Sequence, residues 1–143
     1  MSYLLDTNVV SEARRKTPDS NVVRWLSQRP AATLYLSVLT LGELRKGIES
    51  LGDEQRRGLL RDWLEVELPA FFTGRILPVD AAVADTWGRL LASAGRSLPS
   101  IASLIGATAA RHGMSVVTRN AKDYAGLGIT VINPWETPPT SKP

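Results

Sequence analysis

Tyr3-Leu4-Leu5-Asp6-Thr7-Asn8 is the stretch whose reading decides the fold. A short apolar run with strand character ends on a carboxylate, with a hydroxyl and an amide directly behind it. In an open α/β sheet, loops and helix N-termini converge beyond the carboxyl ends of the strands, and chemistry gathers there. An aspartate closing the first strand would point into that crevice. Asp is also a favoured helix N-cap, so Asp6 alone is read equally as a cap or as a site residue. Segments further along the chain tip the balance.

Outward from this strand, apolar spacing predicts alternating elements. Val9 to Arg15 reads as a helix, and Asp19 to Ser27 as another, with Val22, Val23 and Leu26 on one face. Thr33-Leu34-Tyr35-Leu36-Ser37 is rich in residues that strands favour. Val38 to Leu51 is helical, closed by Gly52, and Gln55 to Phe72 forms a longer amphipathic helix that Pro69 kinks or ends. Ile76-Leu77-Pro78-Val79 is a brief or edge strand, because Pro78 offers no N–H to a ladder. Asp80 caps a helix over Ala81 to Ala94; Pro99 starts another that runs to His112, with Gly113 as its stop. Ser115 to Thr118 and Ile129 to Ile132 are the last strands. Strands alternating with helices predict an α/β fold, a three-layer α/β/α sandwich with a mainly parallel central sheet. The 143 residues suit one domain over 1–135. The Pro/Thr/Ser/Lys stretch 136–143 is expected to be a flexible tail.

Composition narrows the chemistry. The chain has no cysteine, which excludes disulfides and thiolate metal sites and points to a reducing compartment. A single histidine leaves little room for imidazole ligation, so a bound metal would be a hard cation on carboxylates. No apolar run approaches a membrane span and no basic-then-apolar leader is present, so a cytoplasmic protein is expected. The formal charge is +3, with basic clusters at Arg14-Arg15-Lys16, Arg45-Lys46 and Arg56-Arg57, compatible with a polyanionic partner.

Two further acids share the environment of Asp6. Glu43 lies one turn into the helix after the second strand, among apolar or small neighbours. The spacing Thr40-x-x-Glu43 is also that of a capping box, the plainer reading. Asp123 follows Thr118-Arg119-Asn120 at the end of a buried strand, where a turn aspartate is equally common. Asp6 and Asp123 would share the carboxyl edge of one sheet, with Glu43 arriving from a helix start. Converging carboxylates repel unless a divalent cation neutralises them, and such a cation can activate water against a phosphodiester.

With these residues in view, the chain resembles a known family. Leu5-Asp6-Thr7-Asn8 and Gly42-Glu43-Leu44 look like the first two signatures of PIN-domain ribonucleases. Leu98 to Ala109 resembles the third, and Thr118-Arg119-Asn120 with Asp123-Tyr124 the fourth. The likeness is strongest to the toxin member of VapBC-type bacterial toxin–antitoxin pairs. It implies a PIN-like fold, a Mg²⁺- or Mn²⁺-dependent endoribonuclease acting on RNA, and a cognate antitoxin. A homodimer or a hetero-oligomer with the antitoxin follows too. Carried over by position, Asp6, Glu43 and Asp123 match the family's catalytic, metal-holding acids. Thr7, Asn8, Ser37, Thr118 and Asn120 would orient them by hydrogen bonds. Apart from the resemblance, Arg119 beside the site strand could contact an RNA phosphate or, equally, form a surface salt bridge.

One position departs from the pattern. Ala102 stands where the family's third signature carries a metal-ligating aspartate, inside an otherwise intact frame. This predicts an inactive or impaired nuclease, whether by an engineered Asp-to-Ala exchange or in a natural homologue. A non-catalytic module that binds RNA or a peptide on the same fold is the alternative. A flavodoxin-like nucleotide binder is disfavoured because no Gly-rich loop follows the first strand. His112 beside Gly113 suits a helix C-terminus. Trp25, Trp63 and Trp87 fall on apolar faces and read as packing residues. The apolar stripes of Val9 to Ser27 and Gln55 to Phe72 exceed what one core needs, which points to an interface.

Overall fold

The computed structural model describes residues 1–136. Five parallel strands form the sheet: β1 (Tyr3–Leu5), β2 (Leu34–Ser37), β3 (Ile76–Leu77), β4 (Ser115–Val117) and β5 (Val131–Ile132), in the order β3-β2-β1-β4-β5. The helices are α1 (Thr7–Ala13), α2 (Ser20–Ser27), α3 (Val38–Glu49), α4 (Glu54–Asp62), α5 (Leu68–Phe71), α6 (Ala81–Ser93) and α7 (Ser100–His112). The expected tail, 136–143, lies outside the described residues apart from Glu136.

Strand pleating sorts side chains between two cores, since neighbours along a strand face opposite sides. In β1, Leu4 enters one core with Ile105, Ala109, Val116 and Tyr124. Leu5 enters the other with Val9, Val10, Val22, Leu44, Ile48, Leu64 and Phe72. Val116 and Val117 of β4 divide in the same way. Thus α1 to α5 pack on one face of the sheet and α7 on the other, with α6 against α7. These are the three layers that alternating elements predicted.

Three local expectations needed revision. The helix expected over Gln55 to Phe72 is broken by a π-helical turn at Trp63–Glu67, where Leu68 N–H reaches back to Trp63 O. Pro69 supplies no N–H to the ladder there, and the widened turn is one way a helix absorbs that gap. Thr33 belongs to a 3₁₀ turn rather than to β2. The strand around Pro78 contracts to Ile76–Leu77 and sits at the sheet edge, where a missing N–H costs no ladder bond. Gly113 ends α7 in the left-handed region (φ 67°), a conformation glycine adopts without steric cost.

Candidate active site

The chain winds outward from β1 through β2 to β3, then returns to place β4 on the other side of β1. The strand order therefore switches direction between β1 and β4. Backbone from both strands splays apart at such a switch, leaving a crevice at their carboxyl ends. Asp6 stands at the end of β1, and Thr118 follows β4. Asp6, Thr7, Asn8, Glu43, Ala102, Asn120 and Asp123 line one cavity of about 530 Å³, with Pro99, Ser100 and Ile101 from the start of α7. Acids separated by up to 117 positions are thereby brought to one crevice.

Asp6 is the cap of α1 and at the same time lines the crevice. Its Oδ1 accepts from Thr7 N–H (2.8 Å) as the cap of α1. Its Oδ2 accepts from Thr118 Oγ1 (2.8 Å) and from the Tyr124 hydroxyl (3.1 Å). Asp6 is 9% exposed, so these three donors replace most of the water it gives up on folding. Thr118, fully buried, has every hydrogen-bonding capacity in use. It donates to Asp6 and accepts from Asn8 Nδ2 (3.3 Å) and Asn120 N–H (3.0 Å). Asn8 in turn accepts from Arg119 N–H (3.1 Å), closing a loop from α1 to the segment after β4.

The Thr7 hydroxyl bonds the Glu43 carboxylate and lies 3.1 Å from the buried Thr40 hydroxyl. Thr40 sits inside α3, whose cap is Ser37 through Leu39 N–H (3.0 Å), so the capping-box reading of Glu43 does not hold. Ser37 is fully buried in that role and does not line the crevice. Asp123 sits half-buried in a 3₁₀ turn, Ala121–Tyr124. The Arg119 guanidinium lies over the Trp135 ring, 5.1 Å from its centre.

Tyr124 belongs to the fourth signature, and its role emerges from the fold. Burial first, then the charge and hydrogen bond of Asp6, then Asp123 and Glu43, push its phenol far above the ordinary range. It therefore remains a donor to Asp6 at any physiological pH. That Asp123 and Glu43 contribute to the shift is a further mark of their convergence. The signal in the sequence was adjacency to Asp123; the partner, 118 positions away, was not visible.

The donor set does not fit a firmly held divalent ion. Among the described residues, no group of three or more His, Cys, Asp or Glu side chains comes together closely enough to hold one. Asp6 spends three of its roughly four lone-pair positions on protein donors, and Glu43 spends one on Thr7. On the wall that α7 contributes, Ala102 presents a methyl group and no ligand.

Fold and crevice define an α/β/α protein with an acidic site at the switch point of a parallel sheet. The chain belongs to the PIN domain family, whose model matches residues 3–125. It is 38% identical to the plasmid stability protein StbB of Pseudomonas syringae pathovar tomato over 136 residues, covering 93% of this chain and 98% of that one. It is 37% identical to the VapC ribonuclease Y4jK of Sinorhizobium fredii, covering 93% and 97%. Among solved structures, FitAcB from Neisseria gonorrhoeae superposes with a TM-score of 0.88 at 35% identity, covering 94% of this chain and 99% of that one.

Proposed function

We propose that this chain is an endoribonuclease toxin of a toxin–antitoxin pair, Mg²⁺- or Mn²⁺-dependent by lineage and impaired as it stands. One observation carries the reading: three acids from three distant segments face one crevice, and Ala102 occupies the remaining wall. Thr7, Thr118 and Tyr124 hold Asp6 and Glu43 in place, so the acids are oriented before any substrate arrives. Cleavage of a phosphodiester needs positive charge where the transition state gathers negative charge. Three carboxylates without that counter-charge repel the substrate instead, which is why the loss of one ligand would silence the site. Until Ala102 is replaced, binding of RNA or a peptide without cleavage describes the chain as it stands.

Relatives solved as toxin–antitoxin complexes support an antitoxin as partner. The apolar groove between α1, α2 and α5, lined by Val23, Leu26, Leu68 and Phe71, offers it or a second copy a surface. Among the described residues no helix is long and apolar enough to cross a membrane. The test is RNA cleavage in Mn²⁺ by this chain and by Ala102→Asp. Strong cleavage by the variant alone supports the reading. Equal cleavage by both removes the role given to Ala102, and cleavage by neither removes the nuclease.

A further inference from the structure

A second cavity, about 270 Å³, adjoins the acidic crevice across Glu43, which lines both. Arg14 and Arg15 at the end of α1 and Arg56 in α4 stand around it. They come from two of the three basic clusters, more than 40 positions apart in the chain. Leu44, Ile48 and Leu60 supply an apolar floor, and Trp63, the first residue of the π turn, closes one side.

The arginines of this region divide into two groups. Arg15 pairs with Glu12, Arg45 with Glu49 and Glu65, and Arg61 with Glu49. Arg14 and Arg56 make no ion pair among the described residues. Arg14 instead places its guanidinium over the Trp63 ring, 5.8 Å from its centre. Two unpaired guanidinium groups beside an aromatic and aliphatic floor match the two halves of a nucleotide: a phosphate for the charges and a base for the floor. The volume lies just under the about 300–1,000 Å³ of pockets for whole small ligands, so it suits one unit of a polymer. Glu43 repels phosphate, which places the anion at the arginine end rather than in the crevice.

We propose that this trough is a nucleotide subsite for single-stranded RNA, holding the phosphate next to the one that enters the acidic crevice. The proposal rests on the nuclease reading for the identity of the polymer. The unmodified chain serves for the measurement, in EDTA, with anisotropy of a labelled oligouridylate read across a salt series. Arg14→Gln and Arg56→Gln should each weaken binding about three- to tenfold and lower the salt slope by about 0.7, the value for one phosphate on a single strand. Gly47→Leu should weaken it comparably by filling the trough; a Cβ at Gly47 meets nothing within 4 Å, and the melting temperature of the variant is read alongside to show that it folds. Arg89→Gln, at an exposed position of α6, should leave affinity unchanged.

Unchanged affinity and slope in Arg56→Gln and Gly47→Leu would overturn the subsite. So would variants that keep the oligouridylate but lose a labelled polyglutamate peptide titrated in the same way, since the trough would then serve an acidic polypeptide. RNA cleavage by Ala102→Asp is scored separately: its failure removes the nuclease, whereas unchanged RNA binding removes only the subsite.

Discussion

Asp6 is held by three donors, and they are not equivalent. Tyr124→Phe removes one hydroxyl and leaves the ring packed, so Asp6 keeps two partners. The expected loss is about 1.5 kcal/mol by urea denaturation, the scale of a hydrogen bond to a charged group. Thr118→Val removes the other Oδ2 donor and also strands Asn8 Nδ2 and Asn120 N–H, and should cost about 2–3 kcal/mol. If Tyr124→Phe is the more damaging of the two, the network has been misread. Ala102→Asp acts in the opposite electrostatic sense: a further acid adds repulsion to a crevice already lined by three. In EDTA its melting temperature should be no higher than that of the chain as it stands, and a clear rise would contradict the convergence of the acids.

The fit between α7 and the segment after β4 depends on Gly106. A Cβ there would meet Ile129 Cδ1 at 3.3 Å and the Tyr124 ring at 3.4 Å. Gly106→Leu should therefore cost about 1–3 kcal/mol by overpacking and push the Tyr124 hydroxyl away from Asp6. Chemical denaturation checks the first consequence. On the opposite face, α3 is tied to α4 by Glu49. The Arg61 guanidinium, with Arg45 beside it, holds the Glu49 carboxyl down to about 2. A lowered folded-state pKa stabilises above the ordinary value of 4.5, and the contribution disappears as pH falls through about 2. The melting-temperature gap between this chain and Glu49→Gln should close across that window. It should also be small and shrink in salt, because the pair is exposed.

Elements of this kind were legible in the sequence to different degrees. Strands and helices followed from apolar spacing and from Gly and Pro punctuation, which are local signals. The π turn was not legible, because whether Pro69 ends, kinks or widens a helix depends on what Trp63 and Leu68 pack against. The strand order was not legible either, since pairing joins residues such as Leu5 and Val117 that share no local signal. For the same reason the acids could be named individually, whereas the hydroxyls of Tyr124 and Thr40 that surround them could not.

At the scale of the whole molecule, the surface carries more apolar side chain than one core requires. Val23 and Phe71 are 43% and 52% exposed, and both line the groove between α1, α2 and α5. Burial of such a face is the usual drive to association. The chain should sediment above its monomer mass, and Val23→Asp with Phe71→Asp should return it to the monomer without unfolding it. A monomer from the outset would leave the groove to a different partner. The central claim is that distant segments converge on an acidic pocket short of one ligand at Ala102. Calorimetric titration with Mn²⁺ tests it most directly, comparing this chain with Ala102→Asp. The account predicts at least about tenfold tighter binding by the variant, or about 1.4 kcal/mol. Equal affinity in the two proteins would contradict it.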